Sequence, residues 1–344
     1  MQLIKPDINI DFMGKQKIAF AFSLLLILAS FGALIFHGGP NYGIDFAGGT
    51  LVQVKFTQNV AISDIRDNLD SLNLKDISVQ KFGEANAHEF LIRTASSEMD
   101  GDGLANAISA AISEGTGTAP EIRRVEMVGP QVGQDLKKKA LLAIFYSLLF
   151  ITIYISGRFE LKWVLSGVTA GALMTAVYFL SFFNVSMPFL IAAAMVVSLV
   201  LFWMLRLQFA MGAIVALIHD VFITVGIFSI LNLDFSLPII AALLTIIGYS
   251  LNDTIIVFDR IRDNIKGESS REALPGLFNQ SINQTLSRTL LTSFTTLIVL
   301  FALYFLGGEI IHNFAFAMIV GVGIGTYSSI FVASPIVLAA HNKA

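Results

Sequence analysis

Eight long apolar segments dominate this 344-residue chain and limit what it can fold into. A helix that crosses a bilayer needs about 20 mostly apolar residues. Only 14% of the residues are charged, against roughly 25% in a typical soluble domain. The sequence therefore predicts a polytopic α-helical membrane protein with about eight spans. The predicted spans are Ile18–Phe36, Ala140–Ser156, Trp163–Phe183, Pro188–Met204, Phe209–Leu231, Pro238–Phe258, Thr289–Leu306 and Phe314–Ala340.

Composition argues against several function classes. The chain has no cysteine, so disulfides, thiolate metal sites and cysteine nucleophiles are excluded. A net charge of −3 gives no reason to expect nucleic-acid binding. The histidines are scattered without ligand spacing, and no Ser-His-Asp arrangement is present. We expect no enzymatic activity, no cofactor and no metal site.

The first apolar segment follows Lys15 and Lys17 and has two possible interpretations, a signal peptide or a retained anchor. Its apolar run is longer than the roughly 7–15 residues of a signal-peptide core, and it lacks a clean cleavage site of small residues. We therefore expect a retained helix over 18–36.

The distribution of Lys and Arg predicts how the chain is threaded through the membrane. We expect the segments 1–17, 261–287 and 341–344 in the cytoplasm and the long loop 37–139 on the outer side. Lys137-Lys138-Lys139 runs against this assignment, but long translocated domains follow the rule poorly. The cations that support it are Lys5, Lys15, Lys17, Arg158, Lys162, Arg206, Arg260, Arg262, Lys266, Arg271 and Lys343.

The long loop has the periodicity of a small soluble α+β domain. Helical spacing appears twice, over Ile62–Leu72 with Ser63 as a candidate cap and over Leu104–Ile112. The order strand-helix-strand-strand-helix-strand is that of a ferredoxin-like fold. The predicted strands are Leu51–Phe56, Ile77–Phe82, Glu89–Arg93 and Glu121–Val128, with a turn at 83–88.

A glycine-rich segment, Gly43-Ile44-Asp45-Phe46-Ala47-Gly48-Gly49-Thr50, precedes the first strand and invites comparison with a phosphate-binding loop. Its glycines lead into a strand, so the helix N-terminus that would hold a phosphate is missing. We therefore expect a turn with a structural role, marked by Gly43, Asp45, Gly48 and Gly49.

A polar pair, Asn252-Asp253, interrupts the sixth apolar segment about two turns from its charged end. A carboxylate at that depth is costly enough that it usually marks an ion path, a proton relay or a buried partner. Burial favours the protonated acid, whereas a nearby Arg288 favours the carboxylate, so a balanced Asp253 could bind and release a proton. Purely structural pairing with Arg288 stays open. Arg288 begins a polar stripe that continues through Thr292, Thr295 and Thr296.

A second polar pair, His219-Asp220, lies near the middle of the fifth span. It has two interpretations of equal weight, a direct role in ion passage or a hydrogen bond that fixes helix packing. The charge run Asp259–Asp263 is read as a solvated helix end that sets topology.

The ordered motifs of this chain together resemble the SecF family, accessory subunits of the bacterial Sec translocase. The similarity covers nearly the whole chain, and each motif alone is weak. The motifs are Ile10–Lys15, Gly43–Thr50, Val128–Gly133, Arg158–Glu160, Ala216–Asp220, Ile247–Asn264 and Thr285–Thr289.

This resemblance implies a multi-pass protein of the bacterial inner membrane whose large loop lies in the periplasm. It implies a partner, SecD, and joint use of a proton or sodium gradient to help move preproteins through SecYEG, with YajC as a further candidate partner. The family's transmembrane acid corresponds to Asp253 and its essential arginine to Arg288, while Asn252, Asp220 and His219 are weaker candidates.

The chain departs from the family pattern in one place. Members of the family usually have six spans, and here 163–204 reads as an extra transmembrane hairpin without a charged residue over 163–205. Its loop, Asn184–Pro188, echoes Asp234–Pro238. The echo indicates either a degenerate duplication or only the suitability of Ser-x-Pro for starting helices.

Two other functions compete with an export subunit. Half of a small-molecule or lipid exporter would have a larger outer domain with a substrate cleft, and a second such domain. A membrane scaffold, in which the charges only join helices, would tolerate Asp253→Asn.

Overall fold

The computed structural model describes residues 8–72, 74, 77–83, 87–95, 100–183, 185–266 and 272–341. Lys5, Asn184, Arg271, Lys343 and residues 84–86 of the predicted turn at 83–88 lie outside the described residues. Within them, eight helices are long and apolar enough to cross a membrane.

The eight predicted spans are confirmed as helices. They are α1 (Gln16–Phe36), α5 (Pro130–Glu160), α6 (Trp163–Leu180), α7 (Met187–Met204), α8 (Gln208–Ile230), α9 (Leu237–Ile265), α10 (Leu274–Leu306) and a last span that begins with α11 (Glu309–Ser328). The last span continues through a π-helical turn, Ser329–Ala333, into α12 (Ser334–His341). A π-turn inside an α-helix often accompanies a functional site.

Two boundaries differ from the sequence-based prediction. Helix α5 begins ten residues earlier than expected, so the three lysines at 137–139 lie on a helix and not in the soluble domain. Helix α10 begins at Leu274, so much of the predicted loop 261–287 is helical. Charged and amide-rich turns have no apolar signal, which is why hydropathy alone placed both boundaries too deep in the membrane.

The core of the bundle is formed by α8 and α9, which are the most completely buried spans. Helices α5 and α11 pack against them, and α1 lies along α8. Helix α10 contacts α9 and α11 on one side and exposes the other. Both polar pairs of the sequence therefore fall on the two innermost helices.

The extra hairpin α6–α7 leaves and rejoins the bundle at one point. The Glu160 carboxylate accepts a hydrogen bond from the Phe209 N–H at 2.9 Å, although 48 residues separate them in the chain. The Lys162 ammonium donates to the Leu205 carbonyl at 2.8 Å. The end of α5 therefore lies beside the start of α8, and the chain could connect them directly if the hairpin were absent. This is expected for an insertion into a six-span core.

The domain formed by the long loop, named the outer domain after its predicted location, contains a four-stranded antiparallel sheet in the order β2-β3-β1-β4. Two helices pack on one face of it and enclose an apolar core. This arrangement confirms the predicted ferredoxin-like fold. Its elements are α2 (Ile44–Ala47), β1 (Gly49–Lys55), α3 (Ile62–Leu69), β2 (Ser78–Phe82), β3 (Glu89–Thr94), α4 (Gly101–Thr116) and β4 (Glu121–Val128).

The caps of the two domain helices differ from expectation. Ala61 occupies the N-cap of α3 and makes no side-chain cap bond, so the predicted cap at Ser63 is wrong. Helix α3 ends at Leu69 and continues as a 3-10 turn, Asp70–Leu72. Helix α4 begins earlier than predicted because the Asp100 carboxylate accepts from the Gly103 N–H at 2.9 Å.

Candidate functional site

Asp253 lies where α9 meets α10 and α11, and its side chain is fully buried. Its Oδ2 atom accepts one long hydrogen bond, 3.3 Å, from the Ser293 hydroxyl. Ser293 is also 2.7 Å from the Thr326 hydroxyl of α11. The Oδ1 atom has no hydrogen-bond partner among the described residues. The carboxylate is therefore enclosed but only half satisfied.

Two more buried oxygens near this point lack partners within the described residues. The Tyr249 hydroxyl precedes Asp253 by one turn on α9, and the Thr289 hydroxyl precedes Ser293 by one turn on α10. Thr292 of the polar stripe donates to the main-chain oxygen of Thr289 at 2.9 Å, and its side chain also lies close enough to Asp253 to interact with the carboxylate. Buried polar atoms are nearly always paired, so unpaired ones indicate a place for water, an ion or a moving group.

Arg288 is exposed and does not form an ion pair with Asp253 among the contacts of the described residues. It stands close enough to influence that carboxylate electrostatically. Its side chain lines a polar cleft of about 480 Å³ between α5, α9 and α10. The cleft opens toward the end of the bundle that carries the charge run, and Asn252 forms part of its wall. The structure thus brings Asn252 and Arg288 together beside Asp253.

His219 and Asp220 form a different kind of site. The Asp220 carboxylate is fully buried, and it accepts from the Ser250 hydroxyl at 2.6 Å and the Ser328 hydroxyl at 2.8 Å. Its other oxygen is 2.9 Å from the His219 Nδ1 atom. Both carboxylate oxygens are therefore satisfied, and the contacts tie α8 to α9 and α11.

The network continues from His219 to the first span. The His219 Nε2 atom is 3.0 Å from the Ser23 hydroxyl, which is 3.0 Å from the Tyr327 hydroxyl. Tyr327 in turn donates to the Ala19 carbonyl at 2.6 Å. Sequence reasoning missed Ser23, Ser250 and Ser328, because a serine in an apolar helix gives no signal until its neighbour is known.

The two buried acids are therefore suited to different tasks. Asp220 has three side-chain partners in a closed site, so a change in its charge would leave several donors unsatisfied. Asp253 has one weak partner and lies beside a cleft. Of these two acids, Asp253 combines burial with the spare hydrogen-bonding capacity that reversible ion binding needs.

The glycine-rich segment joins the outer domain to the bundle. Gly48 and Gly49 have φ angles of +75° and +118°, which residues with a side chain rarely adopt. A Cβ on Gly48 would lie 2.8 Å from the Pro130 Cα at the start of α5. A Cβ on Gly49 would lie 2.3 Å from the Thr94 carbonyl oxygen of β3. Both glycines are therefore required by close backbone approach and not by a ligand.

Asp45 connects the same segment to the helix that carries Asp253. Its Oδ2 atom accepts from the Leu237 N–H at 2.8 Å, at the first residue of α9. A carboxylate there pairs a free amide and complements the helix dipole. Gly43 adds a main-chain hydrogen bond to Phe235 at 2.9 Å. The predicted signature residues thus form a junction at the outer end of α9.

A polar cluster reinforces this junction from the sheet. The Arg93 guanidinium of β3 lies 3.5 Å from the Asp234 carboxylate and donates to the Tyr42 carbonyl at 3.1 Å. The Asn41 amide donates to Asp234 at 2.9 Å. Burial raises the pKa of Asp234 above its usual value, and Arg93 partly offsets that effect. Sequence reasoning did not identify this cluster, whose members are far apart in the chain.

A clamp at the opposite end of the bundle holds the N-terminal segment. The side-chain Oδ1 atom of Asn279, on α10, accepts hydrogen bonds from the Phe12 and Met13 N–H groups, both at 2.9 Å. Its amide donates to Asp11 at 2.7 Å. Bonds from the Gly14 N–H and Asn279 hold the pKa of Asp11 below its usual value. The motif at residues 10–15 therefore fixes the chain before α1.

Comparisons with known proteins cover nearly the whole chain. A family model described as "Protein export membrane protein SecD/SecF, C-terminal" matches residues 108–192 and 181–343. A model described as "SecD/SecF GG Motif" matches residues 33–60. The two matched segments overlap over residues 181–192, around the start of α7.

Curated relatives and solved structures agree with the family models. The chain is 41% identical to protein translocase subunit SecF of Vibrio alginolyticus, with 98% of this chain and 91% of the relative covered. It is 43% identical to the SecF of Magnetococcus marinus, covering 98% and 94%. A crystal structure of SecDF from Thermus thermophilus, described as a translocon-associated membrane protein, aligns at a TM-score of 0.71 and 33% identity, covering 99% of this chain. The chain spans 40% of the length of that SecDF chain.

Proposed function

Because this chain belongs to the SecD/SecF family of protein-export membrane proteins, we propose that it couples an ion gradient to a late stage of protein translocation. As a SecF-family accessory subunit of translocation, it is a multi-pass protein of the bacterial inner membrane. The coupling ion is a proton or sodium, and Asp253 is the residue that binds and releases it. No chemical catalysis and no bound cofactor take part.

One observation carries this proposal, the half-satisfied state of Asp253. A buried carboxylate with one free oxygen is stable only when it is protonated or when an ion or water supplies the missing contact. The cleft is lined by Asn252 and Arg288, the neighbours of Asp253, and would admit an ion from the end of the bundle with the charge run. There Arg288 would stabilise the charged carboxylate. The free energy available to the proposed coupling is about 2.3 kcal/mol for each elementary charge that crosses a membrane potential of 100 mV.

The junction at the outer end of α9 supplies a route from ion binding to movement. Asp253 lies 16 positions after Leu237, which is about 24 Å of helix. A shift of α9 on protonation of Asp253 would therefore be passed to Asp45 and the attached sheet. In the proposed orientation both termini are cytoplasmic and the sheet domain is periplasmic.

SecD is the proposed direct partner. In this chain α9 and α10 leave Asn252, Arg288 and Thr295 exposed on spans at or near membrane depth. Polar side chains in a span normally face protein or a water-filled cavity and not lipid. A second subunit packed on this face would cover them. SecYEG and the emerging preprotein, with YajC as a further candidate, complete the proposed assembly.

The test compares Asp253→Asn with wild type in vesicles that contain SecD and the translocon. ATP is exhausted after a substrate is partly inserted, and a gradient is then applied. Wild type should complete translocation, whereas Asp253→Asn should stop at the ATP-driven stage, because Asn retains hydrogen bonding and loses titration. A proton gradient without sodium and a sodium gradient with a protonophore identify the ion.

Two further variants make the result specific. Asp67→Asn applies the same chemical change at an exposed acid of α3, which does not line the cleft, and should behave as wild type. Arg288→Lys keeps the charge and loses the planar set of donors, and should reduce the rate. Normal translocation by Asp253→Asn, at equal complex levels, would refute ion coupling through this residue and leave a scaffold role.

A further inference from the structure

A groove runs along the surface between α7 and α8 at the end of the bundle that carries both termini. It consists of two adjoining cavities of about 370 and 390 Å³. The deeper part is apolar and is lined by Leu199 and Val215. The part at the helix ends is of mixed polarity, and its two polar side chains are Arg206 and Gln208. Trp203 lines both parts, so the groove changes from apolar to mixed polarity along its length.

The mixed-polarity end of the groove is positively charged. Arg206 is exposed between the end of α7 and the start of α8, and its guanidinium makes no hydrogen bond or ion pair among the contacts of the described residues. The Lys162 ammonium is 3.4 Å from the Arg206 carbonyl oxygen. On the far side, His341 bonds Gln208 at 2.9 Å. The nearby acid, Glu160, accepts the Phe209 N–H on one oxygen, and its other oxygen is buried without a partner among the described residues.

We propose that this groove binds an anionic phospholipid, with an acyl chain in the apolar part and the headgroup phosphate on Arg206. The apolar part is formed by membrane-spanning helices and the cationic part by their ends, so the groove matches the depth and polarity of a lipid. Basic pockets between transmembrane helices on the cytoplasmic side are known to hold anionic headgroups. A soluble anion would leave the apolar part empty, which is why a lipid fits better.

The two tryptophans of the chain provide a matched pair of reporters. Trp203 lines the groove, and Trp163 lies outside it at the same end of the bundle. Their exposed fractions are similar, 59% and 50%. Trp163→Phe leaves Trp203 as the only fluorophore, and Trp203→Phe leaves Trp163. Each variant is placed in phosphatidylcholine nanodiscs with a small fraction of brominated phosphatidylglycerol or brominated phosphatidylcholine, which quench by contact.

The quenching of Trp203 should correspond to a local concentration of brominated phosphatidylglycerol about fivefold higher than that of brominated phosphatidylcholine. This is the enrichment that one cation near an anionic headgroup produces. Trp163 should be quenched equally by the two lipids. Arg206→Gln should abolish the preference at Trp203, Arg206→Lys should retain it, and Lys17→Gln, an exposed cation elsewhere at this end, should leave it unchanged. Raising the salt concentration should weaken the preference without any substitution.

Two results would overturn the proposal. Equal quenching of Trp203 by both lipids would mean that the groove does not select anionic headgroups. Quenching of Trp163 but not of Trp203 by either lipid would mean that protein covers the groove. The measurement needs no translocation activity, so its outcome is independent of the proposed ion coupling.

Discussion

Substitution of Gly49 by alanine tests whether the glycine-rich segment is dictated by backbone contact. A backbone in a region that side chains rarely adopt costs about 1–3 kcal/mol for any residue other than glycine. At Gly49 the new Cβ would also lie 2.3 Å from the Thr94 oxygen, whereas observed Cβ contacts are essentially never shorter than 3.0 Å. The strands β1 and β3 would have to separate locally. We expect a loss of at least about 3 kcal/mol in the stability of this end of the β1–β3 pair.

Gly117 provides the matched control in the same domain. Its φ angle is +68°, at the end of α4, and no atom lies within 4 Å of a Cβ built there. Gly117→Ala should therefore cost only about 1–2 kcal/mol, the conformational term alone. Both substitutions place a side chain at a positive φ angle, and only Gly49→Ala adds a steric contact.

Hydrogen exchange of the full-length protein in nanodiscs measures both effects. The opening free energy of the β1 amides should fall by at least about 3 kcal/mol in Gly49→Ala and by about 1–2 kcal/mol in Gly117→Ala. Exchange in α9 beyond its first turn should stay unchanged in both. Equal losses in the two variants would refute the argument from close approach.

Three further predictions concern polar contacts between elements. Asp45→Ala should cost about 1 kcal/mol at the start of α9, seen as faster amide exchange there, whereas Asp45→Asn should retain part of the effect. Asp220→Asn should lower the stability of the bundle by about 1–3 kcal/mol, because at least one of three donors loses its acceptor. Steric-trap unfolding measures this stability, and an unchanged value would contradict the closed network. Burial raises the pKa of Asp234 in the folded protein, so the folded junction binds a proton more tightly than the unfolded chain does. The stability of the junction should therefore fall as the pH rises from about 4 through the folded pKa of Asp234. Exchange of amides 41–46, corrected for intrinsic rates, should show this fall in wild type, and a flat profile in Asp234→Asn.

Elements with a strong local signal were predictable from the sequence. The eight spans follow from apolar length, and the outer domain follows from the alternation of strand and helix patterns. Asp253 stood out because a carboxylate among apolar residues is rare whatever surrounds it. Helix starts were less predictable, since the N-cap contact of α9 comes from Asp45, 192 positions away in the chain.

The sequence alone thus determined the membrane class, the order of the elements and the presence of two buried acids. It left His219-Asp220 with two equal interpretations, because a carboxylate's role depends on how many donors reach it. Only the tertiary structure decided that Asp220 meets Ser250 and Ser328 while one oxygen of Asp253 stays free. Hydrogen-bond partners on other helices leave no trace in local periodicity, and they distinguish a structural acid from one that can exchange an ion.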